Sequence, residues 1–521
     1  HSLSRRQRQM CIRDRCLNRS YMVHRMDQGS IPLSFDQEQA LNNVSVILER
    51  AGINLGSGEL SGQIPKYKSV YALIGRAGSG KTALLSRITE KMSAIGVEII
   101  SGDFEVRKNK NKRSLSILAP TNKAANILRM RGVPATTIHR ILYTPVYDPD
   151  YERIVEWLIG ERDEKPIVDG LSESSLKRAW DFYRSNKSIP GALAAAGLKG
   201  SDFISGWKRR EEPLDVGFID ESSMLDDDQL NDLKEIFSTL ILFGDPAQLA
   251  PISQSGRMVF DKLDSECKSI LSQIHRQSSD NPILKLSNFL LDPEITFSEF
   301  EMLIREIANE DERIVWAQRV NVDLMSRSPV LVWRNATRIR LINAFRSVYN
   351  APNDRLMEGE PLICDGLELP LKHRKKRIDL EARGLTKGAN VIYLGPGKKA
   401  GFSRLFVVGS ESPILSAASI VKIELPNEDE PFIPFAAKMG AIFLHGSAVT
   451  IHKAQGSQWE HVQVFGGDIY AAAQTNKVEA GLPLWKRLAY VAITRAQEKL
   501  YWVTRSRLSK PSVPLDISDL K

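Results

Sequence analysis

Residues 75–82 combine glycines, a lysine and a hydroxyl in a spacing that suits a phosphate chain. The run follows an apolar stretch, 69–74, that predicts a buried strand, and it opens a predicted helix over 81–92. In the pattern G-x-x-x-x-G-K-[ST], glycines let backbone N–H groups wrap the phosphates, the lysine reaches the outer ones, and the hydroxyl can ligate Mg²⁺. A glycine-rich turn without a ligand is the alternative. The predicted nucleotide-binding residues are Gly75, Gly78, Ser79, Gly80, Lys81 and Thr82.

Two adjacent carboxylates follow a second apolar run. Residues 216–219 predict a strand, and Asp220 and Glu221 come directly after it. Asp220 suits contact with Mg²⁺, and Glu221 suits orienting and deprotonating an attacking water. One carboxylate would serve a nucleotide-binding switch, whereas the adjacent pair favours a hydrolase. Beside the glycine-rich run, the pair predicts an NTPase that uses Mg²⁺; a plain acidic strand end is the alternative.

Length and composition exclude several classes of protein. The chain has 521 residues, of which 42% are apolar and 26% charged, so we expect three or four globular domains and not a single small binding module. No apolar run approaches the length of a membrane span, and no signal-peptide core lies near the start, so a cytoplasmic location is expected. The four cysteines form no disulfide framework.

Positive charge is concentrated at the start of the chain. The net charge is +8, and residues 1–25 hold seven arginines against one acid, Asp14, so six of the eight charges lie there and two remain for the rest. The run 8–15 also resembles a sequencing-adaptor tag read in frame, which favours a non-native leader over 1–25; a basic DNA-binding arm is the alternative. Since the remaining chain is nearly neutral, any affinity for nucleic acid must come from a local groove.

Strand and helix patterns alternate along most of the chain, which predicts an α/β protein. An amphipathic helix over 31–50 opens at Ser34 or Asp36. The basic run 107–113 either contacts phosphate or forms a solvated hairpin turn, and the turn is the commoner role. The strands predicted in the first half are 69–74, 97–106, 114–118, 216–219 and 240–243.

Three segments interrupt this alternation. Residues 140–213 predict a polar, mostly helical insertion, and 282–325 predict helices. A second alternating region starts at Pro329 and resumes at Ser447. Between its two parts, short runs broken by glycine and proline over 361–440 predict a small inserted β domain.

Further runs resemble the motifs of superfamily 1 helicases. They are 119–125 (motif Ia), 136–139 (the T-x-H element), 220–224 (motif II), 242–249 (motif III), 450–456 (motif V) and 490–496 (motif VI). They occur in the family's order, and the resemblance covers about residues 33–505. The His-Lys-Ala-Gln-Gly form of 452–456 and the β insertion resemble the 5′-to-3′ branch, that is RecD-like enzymes and above all the Dda-like helicases of phages.

The resemblance implies two RecA-like P-loop motor domains, with a helical insertion in the first and a small SH3-like β insertion in the second. The implied boundaries are 26–285 for motor domain 1 with its insertion at about 140–213, 286–328 for a helical connector, 329–360 and 441–521 for motor domain 2, and 361–440 for the inserted β domain.

The resemblance also implies roles around ATP. Gln37 would read the adenine, Gly456 would contact the nucleotide, and Gln248 would sense the γ-phosphate. Arg276 and Arg495 match arginines that meet the γ-phosphate across the cleft, where a guanidinium neutralises charge spread over several oxygens. Each has an ordinary surface or loop role as its alternative. The implied catalytic set is Lys81, Glu221, Gln248, Arg276 and Arg495, and the implied Mg²⁺ ligands are Thr82 and Asp220. Gln458 departs from the family, because relatives often place a carboxylate near the ribose there.

The implied DNA contacts provide hydroxyls, backbone amides and a few cations, which suit a sequence-blind grip on phosphates. They are Pro120, Thr121, Thr137, His139, Thr450, His452 and Lys453. Trp333 is assigned to the core in preference to base stacking. The insertion lies where relatives carry a strand-separating pin; for its Trp180 and Trp207, a helical core is favoured over stacking on bases.

Taken together, the resemblance implies an ATP- and Mg²⁺-dependent DNA helicase that translocates 5′ to 3′ on single-stranded DNA and acts at single-strand/duplex junctions in replication, recombination or repair. Single-stranded-DNA-binding, replication and recombination proteins are candidate partners, a membrane is not, and a phage origin would place the enzyme in the host cytoplasm. The alternatives are a translocase that displaces bound proteins, a DNA-dependent ATP switch and a non-enzymatic DNA-binding protein. Glu221 and the arginines across the cleft argue against a pure switch.

Overall fold

The computed structural model describes residues 33–61, 68–100, 112–147, 149–168, 171–186, 192–193, 195–197, 204–251, 257–272, 281–368, 380, 383–410, 412–424, 432–436, 440–479, 481–515 and 517–520. Among the residues singled out from the sequence, the leader over 1–25, the basic residues 107–111 and Arg276 lie outside these ranges.

The first half of the chain builds a parallel sheet covered by helices. The strands of this half of the chain are β1 (Ser69–Gly75), β2 (Glu98–Ile99), β3 (Ser114–Ala119), β4 (Ala135–Thr137), β5 (Tyr143–Tyr147), β6 (Ile204–Arg209), β7 (Leu214–Ile219), β8 (Phe237–Gly244) and β9 (Lys268–Leu271). Its helices are α1 (Phe35–Arg50), α2 (Lys81–Ala94), α3 (Asn122–Met130), α4 (Ile138–Leu142), α5 (Pro149–Ile159), α6 (Glu173–Asn186) and α7 (Asp227–Ile236). The sheet has the order β2-β3-β7-β8-β1-β9, with β4 also paired to β3. Since its strands are parallel, their carboxyl ends share one edge, where open α/β sheets bind ligands.

Helices on both faces of this sheet explain its nearly continuous apolar strands. Leu73 of β1 packs in a core with α1 and α2, and Ala72 packs in a second core with α7 on the opposite face. The α1 helix confirms the predicted amphipathic helix and has Ser34 as its N-cap, whose side chain accepts the Gln37 N–H.

The insertion after α4 combines a hairpin with helices. Strands β5 and β6 pair antiparallel, and α5 and α6 lie between them in the chain. The rings of Trp157 and Trp180 are 4.8 Å apart within an apolar cluster of the insertion, so the structure places Trp180 in a helical core as expected. The mostly helical prediction missed the hairpin, because β6 reads Ile-Ser-Gly-Trp-Lys-Arg and has no continuous apolar or alternating pattern. The side chain of Trp207 lies outside the described residues.

Arg113, the last residue of the basic run, is buried. Its guanidinium forms an ion pair with Asp215 at 2.9 Å, and both side chains are less than 10% exposed. Asp215 also accepts hydrogen bonds from the backbone N–H of Ser114 at 2.8 Å and from its hydroxyl at 2.9 Å. The expected solvated turn is therefore wrong at Arg113, because this residue adjoins β3 where Asp215 of the neighbouring β7 faces it.

The second half of the chain contains a second parallel sheet and a closed mixed sheet. Its strands are β10 (Ile314–Ala317), β11 (Val330–Val332), β12 (Pro361–Glu368), β13 (Asn390–Pro396), β14 (Phe402–Val407), β15 (Ile414–Ile423), β16 (Phe432–Ala436), β17 (Gly440–His445), β18 (Ala448–Thr450), β19 (Trp459–Phe465), β20 (Val478–Glu479), β21 (Leu482–Pro483) and β22 (Ala496–Val503). Its helices are α8 (Pro282–Phe289), α9 (Phe297–Glu310), α10 (Val322–Met325), α11 (Asn335–Val348), α12 (Ile451–Ala454), α13 (Gly466–Ala473) and α14 (Leu484–Ile493).

The second parallel sheet has the order β10-β22-β19-β11-β18. With the first sheet it forms the pair of RecA-like motor domains, which confirms the predicted fold class. Strand β10 lies within the region predicted to be helical, because its four-residue apolar run is too short to separate a strand from a helix. Trp333 packs against the core of this sheet. In the described part of the chain, no helix is long and apolar enough to cross a membrane.

The inserted sheet closes on itself. Strands β14, β13, β12, β17 and β15 pair in that order, and β14 also pairs with β15, so the ring of strands is complete. Its interior is filled by a separate apolar cluster that includes Val391, Leu405 and Phe443. The predicted small β domain is present as a barrel. Its SH3-like type and the domain boundaries stay predictions.

Candidate active site

The glycine-rich run forms a tight loop between β1 and α2. Gly78 and Gly80 have φ of +86° and +83°, in the left-handed region that favours glycine. A Cβ on Gly75 would lie 2.3 Å from the Ser79 hydroxyl oxygen, so only glycine fits there. The Lys81 ammonium donates to the carbonyls of Gly75 and Arg76. These two bonds hold the Lys81 ammonium inside the loop. A phosphate chain wrapped by the loop would pass beside it.

The carboxylates after β7 meet this lysine. Asp220 is buried, and burial together with the neighbouring Glu221 charge raises its pKa to about 7, while Lys81 acts in the opposite direction. Glu221 has φ of +52°, and its carboxylate accepts the side-chain amide of Gln248 at 3.0 Å. The carbonyl of that amide accepts the Ser223 hydroxyl at 3.3 Å. Asp220 is thus buried beside Lys81, whereas the adjacent Glu221 is oriented by Gln248.

These residues fit ATP and Mg²⁺. The Ser79 hydroxyl is buried and has no hydrogen-bond partner among the described residues, so the loop offers a donor that a phosphate oxygen would satisfy. Thr82 and Asp220 supply a hydroxyl and a carboxylate, both oxygen ligands of the kind that Mg²⁺ prefers. The described residues contain no cluster of three or more His, Cys, Asp or Glu that could hold a metal, so phosphate oxygens and water would complete the shell.

Arg495 reaches this site from the second motor domain. It follows α14, is 5% exposed, and donates to the carbonyls of Val491 at 3.0 Å and Ser457 at 3.2 Å. Burial lowers its pKa from the ordinary value, and the negative charges of Glu221 and Asp245 act in the opposite direction. The structure therefore brings Arg495 and the first-domain carboxylates together, as the sequence predicts. It leaves Arg276 outside the described residues.

Two further residues of α14 enter the site, and sequence reasoning assigned them no role. The Tyr490 hydroxyl donates to Asp245 at 3.0 Å and accepts the backbone N–H of Ala77 at 3.0 Å. Arg487, 1% exposed, donates to the carbonyls of Pro246 and Gln248. One signal was available, because the two adjacent cations Lys486 and Arg487 in the otherwise apolar helix Leu484–Ile493 indicate buried polar partners.

Gln37 lies against the glycine-rich loop. Its amide donates to the Ser79 carbonyl at 3.1 Å, and its carbonyl accepts the Ser34 backbone N–H at 3.1 Å. Both ends of the side chain are therefore engaged in helix capping and loop contact. Its reading of adenine stays a prediction, for which the amide keeps a second N–H and its carbonyl a second lone pair.

The first-domain DNA candidates cluster beyond the carboxyl end of β3. Ala119, just before Pro120, pairs with Thr137 of β4, which places Pro120 beside the start of α4. Thr121 is the N-cap of α3 and accepts the Ala124 N–H at 3.2 Å. His139 in α4 has its ring 5.0 Å from that of Tyr143. These residues are close together, and Thr121 also has an ordinary capping role.

The second-domain candidates approach this cluster through motif V. Thr450 ends β18, and His452 and Lys453 lie on α12. Gly456 is left-handed at φ of +72°, and a Cβ there would lie 3.8 Å from the Thr121 hydroxyl oxygen. Thus Gly456 lies beside the start of α3.

Three pKa shifts bear on this surface. Burial lowers the pKa of His139 and of His452, so both rings are neutral at pH 7 and can offer hydrogen bonds to DNA but no charge. Beside them, the Lys123 ammonium lies 4.9 Å from the centre of the Trp459 ring. Burial, with the nearby charge of Arg495, lowers the pKa of Lys123 to about 8. Gln458, the departure from the family, accepts the Gln497 amide at 3.3 Å.

Two family models match the chain. One is described as an AAA domain and matches residues 63–303; the other is described as a UvrD-like helicase C-terminal domain and matches residues 445–503. No curated protein matches the sequence. The solved structure of Pif1 helicase from Bacteroides in complex with ADP-AlF3 and ssDNA is 15% identical, with 91% of this chain and 93% of that chain covered and a TM-score of 0.45. Pif1 helicase from Candida albicans is 16% identical, with 91% and 96% covered and a TM-score of 0.42.

The functional interpretation depends on the site and on the two family models. The predicted nucleotide-binding and hydrolytic residues lie in the part that matches the AAA domain, except Gln37, which precedes it, and Gly456 and Arg495, which lie in the part that matches the helicase C-terminal domain. Together they support an ATP-hydrolysing DNA helicase.

Proposed function

We propose that this protein is an ATP-dependent DNA helicase that moves 5′ to 3′ along single-stranded DNA and separates the duplex ahead of it. One observation carries the proposal, namely that Tyr490 of α14, the helix that leads into Arg495, hydrogen-bonds Ala77 of the glycine-rich loop and Asp245 after β8. A nucleotide site shared by two domains can convert hydrolysis into relative movement of those domains, which a site within one domain cannot do.

The residues divide the chemistry between them. ATP with Mg²⁺ supplies, when bound, the phosphoanhydride bond that is cleaved. Lys81 and the loop N–H groups would hold the phosphates, and Thr82 and Asp220 the metal ion. Glu221, oriented by Gln248, would take the proton of the attacking water, and Arg495 would neutralise charge on the transferred group.

The proposed DNA path follows the two candidate clusters. Thr121 of the first domain and Gly456 of the second lie side by side, so a strand crossing there would contact both motors. Thr137, His139, Thr450, His452 and Lys453 would add hydroxyl, imidazole and ammonium donors to successive phosphates. Since the chain beyond the leader is nearly neutral, such local contacts would have to supply the affinity.

The 5′-to-3′ direction and the RecD-like, Dda-like assignment rest on motif resemblance. The His452–Gly456 form and a β insertion before it support that branch, and the closed barrel over 361–445 is compatible with an SH3-like insertion. Direction depends on which motor holds the phosphates more tightly when the cleft closes, so it is the most demanding part of the proposal.

The decisive experiment is strand displacement on matched duplexes carrying only a 5′ or only a 3′ single-stranded tail. We expect ATP-dependent unwinding from the 5′ tail, none from the 3′ tail, and none from either with Glu221→Gln. Efficient displacement from the 3′ tail would contradict the branch. DNA-stimulated ATPase with release of a bound protein but no unwinding would indicate a translocase, and ATP binding without DNA-stimulated turnover would indicate a switch.

A further inference from the structure

Tyr490 connects three parts of the cleft through one hydroxyl group. The side chain is 1% exposed and belongs to α14 of the second motor domain. Its hydroxyl donates to Asp245 after β8 and accepts the N–H of Ala77 in the glycine-rich loop, both at 3.0 Å. Arg495 follows five residues later along the same segment. One short segment therefore carries both the arginine and a contact to two first-domain loops.

Arg487 extends this contact along the same face of the helix, three residues before Tyr490. It donates to the carbonyls of Pro246, at 2.9 Å, and Gln248. The loop 245–248 is thus bound by α14 at a carboxylate and at two carbonyls. Gln248 is the residue that orients Glu221, so the chain of contacts runs from α14 to the hydrolytic carboxylate.

Both partners of the Tyr490 hydroxyl come from the other motor domain. The Thr494 hydroxyl bonds the Tyr490 carbonyl of the preceding helical turn at 2.8 Å, whereas a tyrosine hydroxyl lies too far from its own backbone to do so and must be satisfied by other elements. Opening the cleft would break the bonds to Ala77 and Asp245 at the same time as it withdrew Arg495. The hydroxyl therefore has its partners only while Arg495 is in place.

We propose that Tyr490 is a positioning residue that couples closure of the cleft to the placement of Arg495 and Gln248. Arg487 supports this coupling by binding the same loop, 245–248. The inference rests on the proposed function and adds to it the contact through which movement of the second motor reaches the hydrolytic residues. The hydroxyl contributes to turnover in the closed cleft and little to nucleotide binding by the first domain alone.

The test is Tyr490→Phe, which removes the hydroxyl and keeps the ring. The matched control is Tyr349→Phe, whose hydroxyl also donates to a carboxylate, Asp323 at 3.3 Å, but within the second domain. We expect DNA-stimulated kcat to fall about ten- to a hundredfold in Tyr490→Phe, the worth of one hydrogen bond to a charged group. The Kd of a non-hydrolysable ATP analogue should change less than about threefold, and Tyr349→Phe should match wild type in both.

A second variant separates coupling from stability. Arg487→Lys keeps the charge but shortens the reach to the two carbonyls, and should also lower kcat while leaving analogue binding unchanged. In the double variant the losses should be less than additive, because both residues hold the same loop. Unchanged kcat in Tyr490→Phe, or equal losses in kcat and analogue affinity, would overturn the inference while wild-type unwinding stood. Wild-type protein without DNA-stimulated hydrolysis would instead overturn the proposed function.

Discussion

The side-chain amide of Gln248 donates to the carboxylate of Glu221 at 3.0 Å, although the two residues follow different strands of the first sheet. Glu221 is held in the left-handed region at φ of +52°, which is uncommon for a residue with a side chain. Displacing Gln248 would therefore release the Glu221 carboxylate. In the proposed mechanism, this one hydrogen bond would link sensing of the γ-phosphate by Gln248 to activation of water by Glu221.

Replacing Glu221 by Gln should leave ATP binding intact and reduce turnover by about 10²–10⁴-fold, because an amide cannot take the proton of the attacking water. Single-turnover hydrolysis together with nucleotide-binding titration checks this. Glu306→Gln, on the exposed face of α9, is the matched control and should behave as wild type. Near-normal hydrolysis by Glu221→Gln would remove this residue from the mechanism.

Arg495→Ala should lower DNA-stimulated hydrolysis by up to about 10³–10⁵-fold, the range of arginine fingers, with a much smaller effect on ATP affinity. Arg495→Lys should restore only part of the rate, since an ammonium cannot neutralise several oxygens in one plane. Steady-state kinetics with and without DNA measures both. The same result is expected for Arg276→Ala from the sequence alone. A weakened nucleotide affinity with unchanged kcat would contradict either assignment.

Asp220 should make the nucleotide-free protein less stable as pH rises. Burial raises its pKa from 3.8 to about 7, so between these values the folded state keeps a proton that the unfolded state releases, and the stability cost is complete above pH 7. Asp220→Asn lacks this cost. The difference in thermal midpoint between variant and wild type should therefore increase from pH 5 to pH 8. A difference that does not vary with pH would argue against the raised pKa.

Arg113→Met should destabilise the first motor domain by about 3–5 kcal/mol, because it leaves the buried Asp215 carboxylate without its cation. Lys165→Met, which breaks the exposed ion pair with Glu173, is the control and should cost far less, because water screens that pair. Urea unfolding followed by fluorescence compares the two. Equal losses would mean that burial of the Arg113 pair has no energetic consequence.

The nucleotide half of the site could be predicted because its residues are contiguous in the chain. The loop from Gly75 to Thr82 and the pair Asp220–Glu221 each carry their chemistry in one local pattern, and the strand before each is apolar. The contact of Tyr490 with Ala77 could not be predicted in this way, since 413 positions separate the two residues. Only the packing of one motor domain on the other creates that contact.

Errors in the fold have a similar cause. Strand β10 and the hairpin of β5 and β6 are short elements stabilised by pairing with distant or neighbouring strands and not by their own patterns. Arg113 was grouped with its basic neighbours because its partner, Asp215, lies 102 residues away. In each case the tertiary partner decides the structure, and local composition does not identify that partner.

The barrel joins its host through two neighbouring chain connections and through an ion pair between Arg338 of α11 and Glu424, just after β15. Its first and last strands are paired, with Leu362 opposite His445, and the Glu360 carboxylate is 2.9 Å from the His445 ring nitrogen. The backbone therefore leaves and re-enters the motor domain through neighbouring positions, so a short loop could replace the whole barrel without cutting the second parallel sheet. A domain attached in this way is a transplantable module. Exchange of the barrel for another domain, in evolution or by engineering, would alter the proposed grip on DNA and leave the two parallel sheets in place.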